Sequence, residues 1–180
     1  MRNLIFFIGL YFLSINHIFS EDIISNCDLV ASDPYDLQND YINNERIEVD
    51  GVKTEDLISL DYESLINACM ADLSKDSQNP RYQYQLARIY YAFEKYQKAE
   101  PLFILAYEQG YIAASYYLGE MNFLEYLGKP FNQKSINFFQ ISYEGGYSEM
   151  SSLSYLADSY YYLKDNKNAE KYYLEYLRNY

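Results

Sequence analysis

The chain has 180 residues, enough for one domain, and sets 14 Lys plus Arg against 26 Asp plus Glu, for a net charge of −12. A surface this acidic repels phosphate backbones and anionic headgroups, which argues against nucleic acid as a partner. Tyrosine is used 24 times and Trp not at all; Tyr11, Tyr35, Tyr41 and Tyr62 apart, every tyrosine lies from Tyr82 onward.

The first stretch reads MRNLIFFIGLYFLSINHIFSED. Arg2 gives a positive start, Leu4 to Ile15 an apolar run, and Ile18-Phe19-Ser20 a cleavage site, so residues 1–20 read as a secretory signal. A spanning helix needs about 20 apolar residues, and Asn16 and His17 interrupt the run sooner. An uncleaved anchor is the alternative, and membrane association is expected only in that case. Export places the two cysteines, Cys27 and Cys69, in an oxidising compartment that favours pairing them. Two buried free thiols are the alternative. Closing a loop of this length is worth on the order of 4 kcal/mol in the chain-entropy model.

From Glu21 to about Asp61 the pattern is irregular, with turn signals at Pro34, Asn43-Asn44 and Asp50-Gly51. Residues 21–78 are expected to form a loop-rich arm, tethered by the cysteines, and one helix. Asp61 suits the helix cap. Leu65, Ala68, Cys69 and Leu73 then share a stripe that turns Cys69 inward.

Asn79-Pro80 opens the next helix, with Asn as cap and Pro at the first helical position. From here the chain repeats. Leu86-Ala87, Leu118-Gly119 and Leu156-Ala157 are equivalent, and each is followed by a second helical segment with a small residue at Ala99, Ser135 or Ala169. The middle unit has a longer turn, through Leu127-Gly128-Lys129-Pro130. The phrase YEQGY at 107–111 returns as YEGGY at 143–147. Gly110 and Gly146 are placed to stop a helix in the left-handed conformation, and Tyr111 and Tyr147 to pack back over its last turn. Three units of two helices, at about 79–111, 112–147 and 148–180, make an all-α chain built as a short helical-repeat solenoid.

The run from Ala106 to Gly119 resembles the SEL-like repeat family, a branch of the tetratricopeptide repeat class, and the likeness covers Asn79 to Tyr180. Upstream, CDLVASDPYD and INACMADLSKDSQNPRYQYQLAR are similar to exported bacterial members of that family. The resemblance implies a right-handed solenoid, a Cys27–Cys69 disulfide and a bacterial envelope location, the periplasm. This chain departs from the pattern in ending its third unit at Tyr180 without a further capping helix.

Chemistry-bearing motifs are scarce. His17 is the only histidine and lies in the expected signal, both cysteines are better spent in a bridge, and the calcium-loop and phosphate-loop patterns do not occur. No catalytic residue, metal site or cofactor is expected. A hydrolase using Glu120 and Asp158, which hold matching places in their units, is the remote alternative.

The stronger expectation is a binding surface. Tyr84, Arg88 and Tyr91 lie on one helical stripe, matched by Tyr116, Glu120 and Phe123 and by Asp158 and Tyr161. In the tetratricopeptide class this stripe faces a concave groove, so the resemblance implies a non-enzymatic interaction module that holds a protein or peptide segment there. A membrane-tethered subunit steadying an envelope complex is the second reading. In the last segment, Tyr173, Leu174, Tyr176, Leu177 and Tyr180 form an apolar and aromatic tail that suits self-association.

Overall fold

Four helix starts are fixed by polar side chains, Ser25, Asp61, Asn79 and Asp165, each accepting from an amide of the first turn. The computed structural model describes residues 24–36, 41–42, 45–46, 51–128, 131 and 133–179. The signal segment 1–20, the turn signals at Asn43-Asn44 and Asp50, and Tyr180 lie outside them. Among the described residues there are nine helices: α1 Asn26–Ala31, α2 Thr54–Leu57, α3 Tyr62–Lys75, α4 Pro80–Ala92, α5 Tyr96–Glu108, α6 Ala113–Phe123, α7 Gln133–Glu144, α8 Glu149–Tyr162 and α9 Asn166–Asn179. Among the described residues the strand content is a two-residue antiparallel pair, β1 Tyr41–Ile42 and β2 Glu45–Arg46.

The expected caps form. The Asp61 carboxylate accepts from the Ser64 amide at 2.9 Å. Asn79 accepts from the Arg81 and Tyr82 amides, with Pro80 next to it at the start of α4. The arm is more ordered than its sequence suggests. Ser25 and Asp28 form a capping box that starts α1. A helix of six residues is too short to reveal itself by periodicity, so this element escapes a reading of the sequence.

From α3 to α9, each helix packs on the next, and α1 and α2 pack on α4. The helices α4 and α5 lie within residues 79–111, α6 and α7 within 112–147, and α8 and α9 within 148–180, with the longest connection among these six between α6 and α7. Equivalent helix ends close alike. Lys95, Tyr126 and Asp165 donate to carbonyls five residues back, as do Tyr111 and Tyr147. Gly110 and Gly146 adopt φ of 83° and 77°, the left-handed stop that a Cβ disfavours.

The small residues sit where helices touch. Ala87, Ala99, Ser135, Ala157 and Ala169 are all buried. A Cβ on Gly119 would come within 2.8 Å of the Phe139 ring, so glycine there lets α6 meet α7. Three apolar clusters run through the chain. The first, around Leu57, Leu65 and Ile89, is closed by the Cys27–Cys69 disulfide. The second is centred on Phe103 and Leu118, the third on Phe139 and Leu156.

Candidate functional site

The arm crosses the face of α4 that carries Tyr84 and Arg88. Both side chains are 0% exposed. A buried guanidinium is tolerable only where its nitrogens find partners, and here each of the three does. Arg88 Nε lies 3.2 Å from the Asp33 carboxylate. Its Nη1 donates to the Ala31 carbonyl at 2.9 Å and its Nη2 to the Val52 carbonyl at 2.7 Å, with Thr54 Oγ1 taking a further bond. Burial opposes the Arg88 charge; the oxygens of Tyr117 and Asp33, then of Tyr84 and Tyr147, more than offset it.

Asp33 is the hub. The same carboxylate oxygen accepts from Tyr84 at 2.5 Å and from Tyr147 at 2.6 Å. Tyr117 joins through Thr54 at 2.7 Å and lies 3.3 Å from the Tyr147 hydroxyl. Three residues on, Asp36 accepts from Tyr111. The tyrosines that end the two repeated phrases thus each bind one acid of the arm's Asp33-Pro34-Tyr35-Asp36 turn. The α1 end is pinned as well: Asp72 on α3 accepts from the Cys27 amide at 2.8 Å, beside the disulfide.

Where the arm stops covering these helices, a cleft of about 880 Å³ opens. Its floor comes from α6, with Tyr116, Tyr117 and Glu120. One wall is the end of α4 and start of α5, with Tyr91, Glu94 and Tyr96; Tyr126 closes the side. The arm supplies Pro34, Glu55 and Ile58, and α8 supplies Met150. Tyr96 stacks on Tyr126 with centroids 4.3 Å apart, and Tyr91 meets Tyr96 edge-on at 5.4 Å. Glu120 accepts from Tyr91 at 2.5 Å through one oxygen and from Tyr155 at 2.8 Å through the other. Burial and then the neighbouring Glu120 push the Tyr91 phenol well up, so it stays a donor. Tyr96 is pushed up to about 12, first by burial and then by Tyr126.

The eight residues expected on one partner face therefore separate. Tyr84 and Arg88 are sealed beneath the arm, a correction to the expectation that a partner reaches them: the chain supplies its own acid, Asp33, to the cation. Tyr91, Tyr116 and Glu120 come together in the cleft. Phe123 packs instead against Phe131, Tyr155 and Tyr162. Asp158 accepts from Tyr173 on α9 at 2.5 Å, and Tyr161 stands 61% exposed. Tail residues Tyr173, Leu174 and Leu177 are exposed, whereas Tyr172 is buried.

Sequence reading missed Asp33, Tyr117 and Tyr126, and gave Tyr147 only a packing role. The signal was present for two of them: tyrosines recurring at the repeat period, and two acids spaced three apart in the arm. Among the described residues, no group of three or more His, Cys, Asp or Glu could hold a metal ion. No helix there is long and apolar enough to cross a membrane. The disulfide is consistent with an oxidising compartment. No protein-family model and no curated protein matches the chain. The arrangement offers chemically an open, ring-lined recess with carboxylates and no Lys or Arg among the residues that line it.

Proposed function

We propose that this protein is an exported, non-enzymatic interaction module that holds a segment of another protein in the cleft beside the arm. The observation that carries this is the cleft itself: a volume near 880 Å³ walled by Tyr91, Tyr96, Tyr116 and Tyr126. Tyrosine gives large contact area with few rotors and keeps a polar tip, which is why it anchors interfaces. Glu120 and Asp158 each bind tyrosines, which favours a positioning role for both over hydrolysis. Three consecutive helix pairs with matching ends fit a right-handed solenoid of the SEL-like kind. The disulfide fits a bacterial periplasm. The exposed row on α9 fits association with a second copy.

Panning a pool of random peptides on the full chain tests the reading. Peptides retained by the wild type should be lost on a Tyr91→Ala/Tyr126→Ala variant that keeps its helical circular dichroism. Equal retention on both, or none on either, would refute it.

A further inference from the structure

The cleft has a charge as well as a shape. Glu55, Glu94 and Glu120 line it, and no Lys or Arg does among the described residues. The nearest buried cation, Arg88, is neutralised by Asp33 at 3.2 Å, so it leaves no net positive field at the floor. The whole chain, at −12, adds to the negative potential that steers a cation inward.

Glu120 is held for use. A carboxylate has about four lone-pair sites. Tyr91 occupies one on Oε2 and Tyr155 one on Oε1, which orients the group and leaves acceptor capacity on both oxygens. Beside it, the Tyr91, Tyr96 and Tyr126 rings form an aromatic corner with centroid separations of 5.4, 4.3 and 6.0 Å. A ring face attracts a cation within about 6 Å of its centroid. Tyr96 and Tyr126 cover one face of each other by stacking, so a cation meets the outer side of that stack, the Tyr91 ring and the Glu120 carboxylate, a setting that holds an ammonium. A guanidinium prefers a carboxylate free to take two parallel bonds, and the two phenols already crowd that approach.

The rest of the cleft points to a peptide rather than a free amine. Its volume lies toward the upper end of the range of about 300–1,000 Å³ usual for ligand sites, more than one ammonium fills. Its outer walls are apolar: Pro34 and Ile58 from the arm, the latter 60% exposed, and Met150 from α8. These suit apolar residues flanking a basic one.

We propose that the cleft takes a lysine side chain from a peptide segment of a partner protein, with the ammonium on Glu120 inside the corner of Tyr91, Tyr96 and Tyr126. The proposal rests on the reading of the cleft as a peptide site and adds its chemistry.

Titration calorimetry on the full chain tests it with three probes. They are a capped Leu-Ser-Lys-Ser-Leu peptide, the same peptide acetylated on lysine, and tetramethylammonium chloride. The lysine peptide should bind at least about tenfold more tightly than the acetylated one, the factor expected for a charge-assisted bond. Glu120→Gln, which keeps the shape and an acceptor for one of Tyr91 and Tyr155 while the other phenol turns to accept from the amide, should cost a similar factor. Should that variant lose its helical signal, Glu94→Gln at the exposed rim is substituted and should weaken the lysine peptide alone. Equal affinity for both peptides, no binding of the lysine peptide, or no effect of the charge-removing variant overturns the proposal. Tetramethylammonium binding as tightly as the lysine peptide overturns the peptide assignment and makes this a site for small organic cations. If the random pool yields uncharged peptides that depend on Tyr91 and Tyr126, the interaction reading stands and the lysine assignment alone falls.

Discussion

Asp33 shows how one side chain joins an irregular arm to a helical body. Its carboxylate satisfies Arg88 and accepts from Tyr84 and Tyr147, all of them buried. Asp33→Asn keeps the shape and removes the countercharge, leaving a guanidinium uncompensated in the interior. Breaking a buried pair in this way costs about 3–5 kcal/mol, read as a lower urea midpoint. Asp33→Leu with Arg88→Met should cost much less than the two single changes added together, because neither charge is then stranded. A second prediction concerns pH. Burial raises the phenols of Tyr84, Tyr111 and Tyr147 well above 10.0, and raises Tyr91, Tyr116 and Tyr117 too. Above that pH the unfolded chain releases protons that the folded chain keeps, so the unfolded state binds fewer and stability falls as pH rises. The contribution is intact below pH 10. It declines by about 1.4 kcal/mol per pH unit for each such tyrosine. Six of them would exhaust a typical stability of about 5–15 kcal/mol within one or two units. Tyrosinate absorbance and helical signal should therefore change together in one steep transition. Independent titration near pH 10 with the helices intact would count against this burial.

At the scale of the element, the repeat is a repeat of helix endings. Each within-unit turn has a left-handed residue that is not glycine: Glu94 at φ 56°, Glu125 at 56° and Lys164 at 63°. Such a residue is strained by roughly 1–2 kcal/mol. Lys164→Gly relieves that strain at an exposed site and should leave thermal stability equal or up to about 1 kcal/mol higher, since glycine's looser unfolded chain offsets part of the gain. Gly110→Ala should lose about 1 kcal/mol through conformation alone, as a Cβ there meets nothing within 4 Å. Gly119→Ala differs in kind. It drives a methyl group into Phe139 and should cost about 1–3 kcal/mol by overpacking. A melting series over the three separates strain from crowding. The helical segments, the Asp61 and Asn79 caps and the buried small residues were legible because period and capping act within a few residues of sequence. The cleft was only partly legible. Tyr91, Tyr116 and Glu120 follow from the stripe, whereas Tyr126 sits in the long turn and Glu55 in the arm, and both arrive through tertiary folding. Tyr84 and Arg88 are misplaced by the same logic, because a stripe shows which side chains share a face and says nothing of a segment 50 residues upstream that covers it.

For the molecule as a whole, the disulfide ties together two halves that would otherwise meet only through side chains. α1 touches α3 and α4, and α2 touches α4, while Cys27–Cys69 closes the intervening loop. Reducing the bond should remove about 2–5 kcal/mol. The loss should be uneven, since local opening follows local contacts. Cys27→Ser/Cys69→Ser frees the front of the arm, yet Asp33 still holds Arg88 and Asp36 still accepts from the Tyr111 hydroxyl. Amide exchange should therefore rise most at α1 and along the neighbouring part of α3, less on α4, and least on α9, which packs against α8 at the other end of the chain. Because the arm forms one wall of the cleft through Ile58 and Pro34, the same variant should also weaken any cleft ligand. Pairing it with Ile58→Ala then gives less than the sum of the two losses, as both act on one wall. Exchange that quickens equally from α1 to α9 would mean that the chain opens as a single unit, with the arm contributing to every pair and not to the first alone.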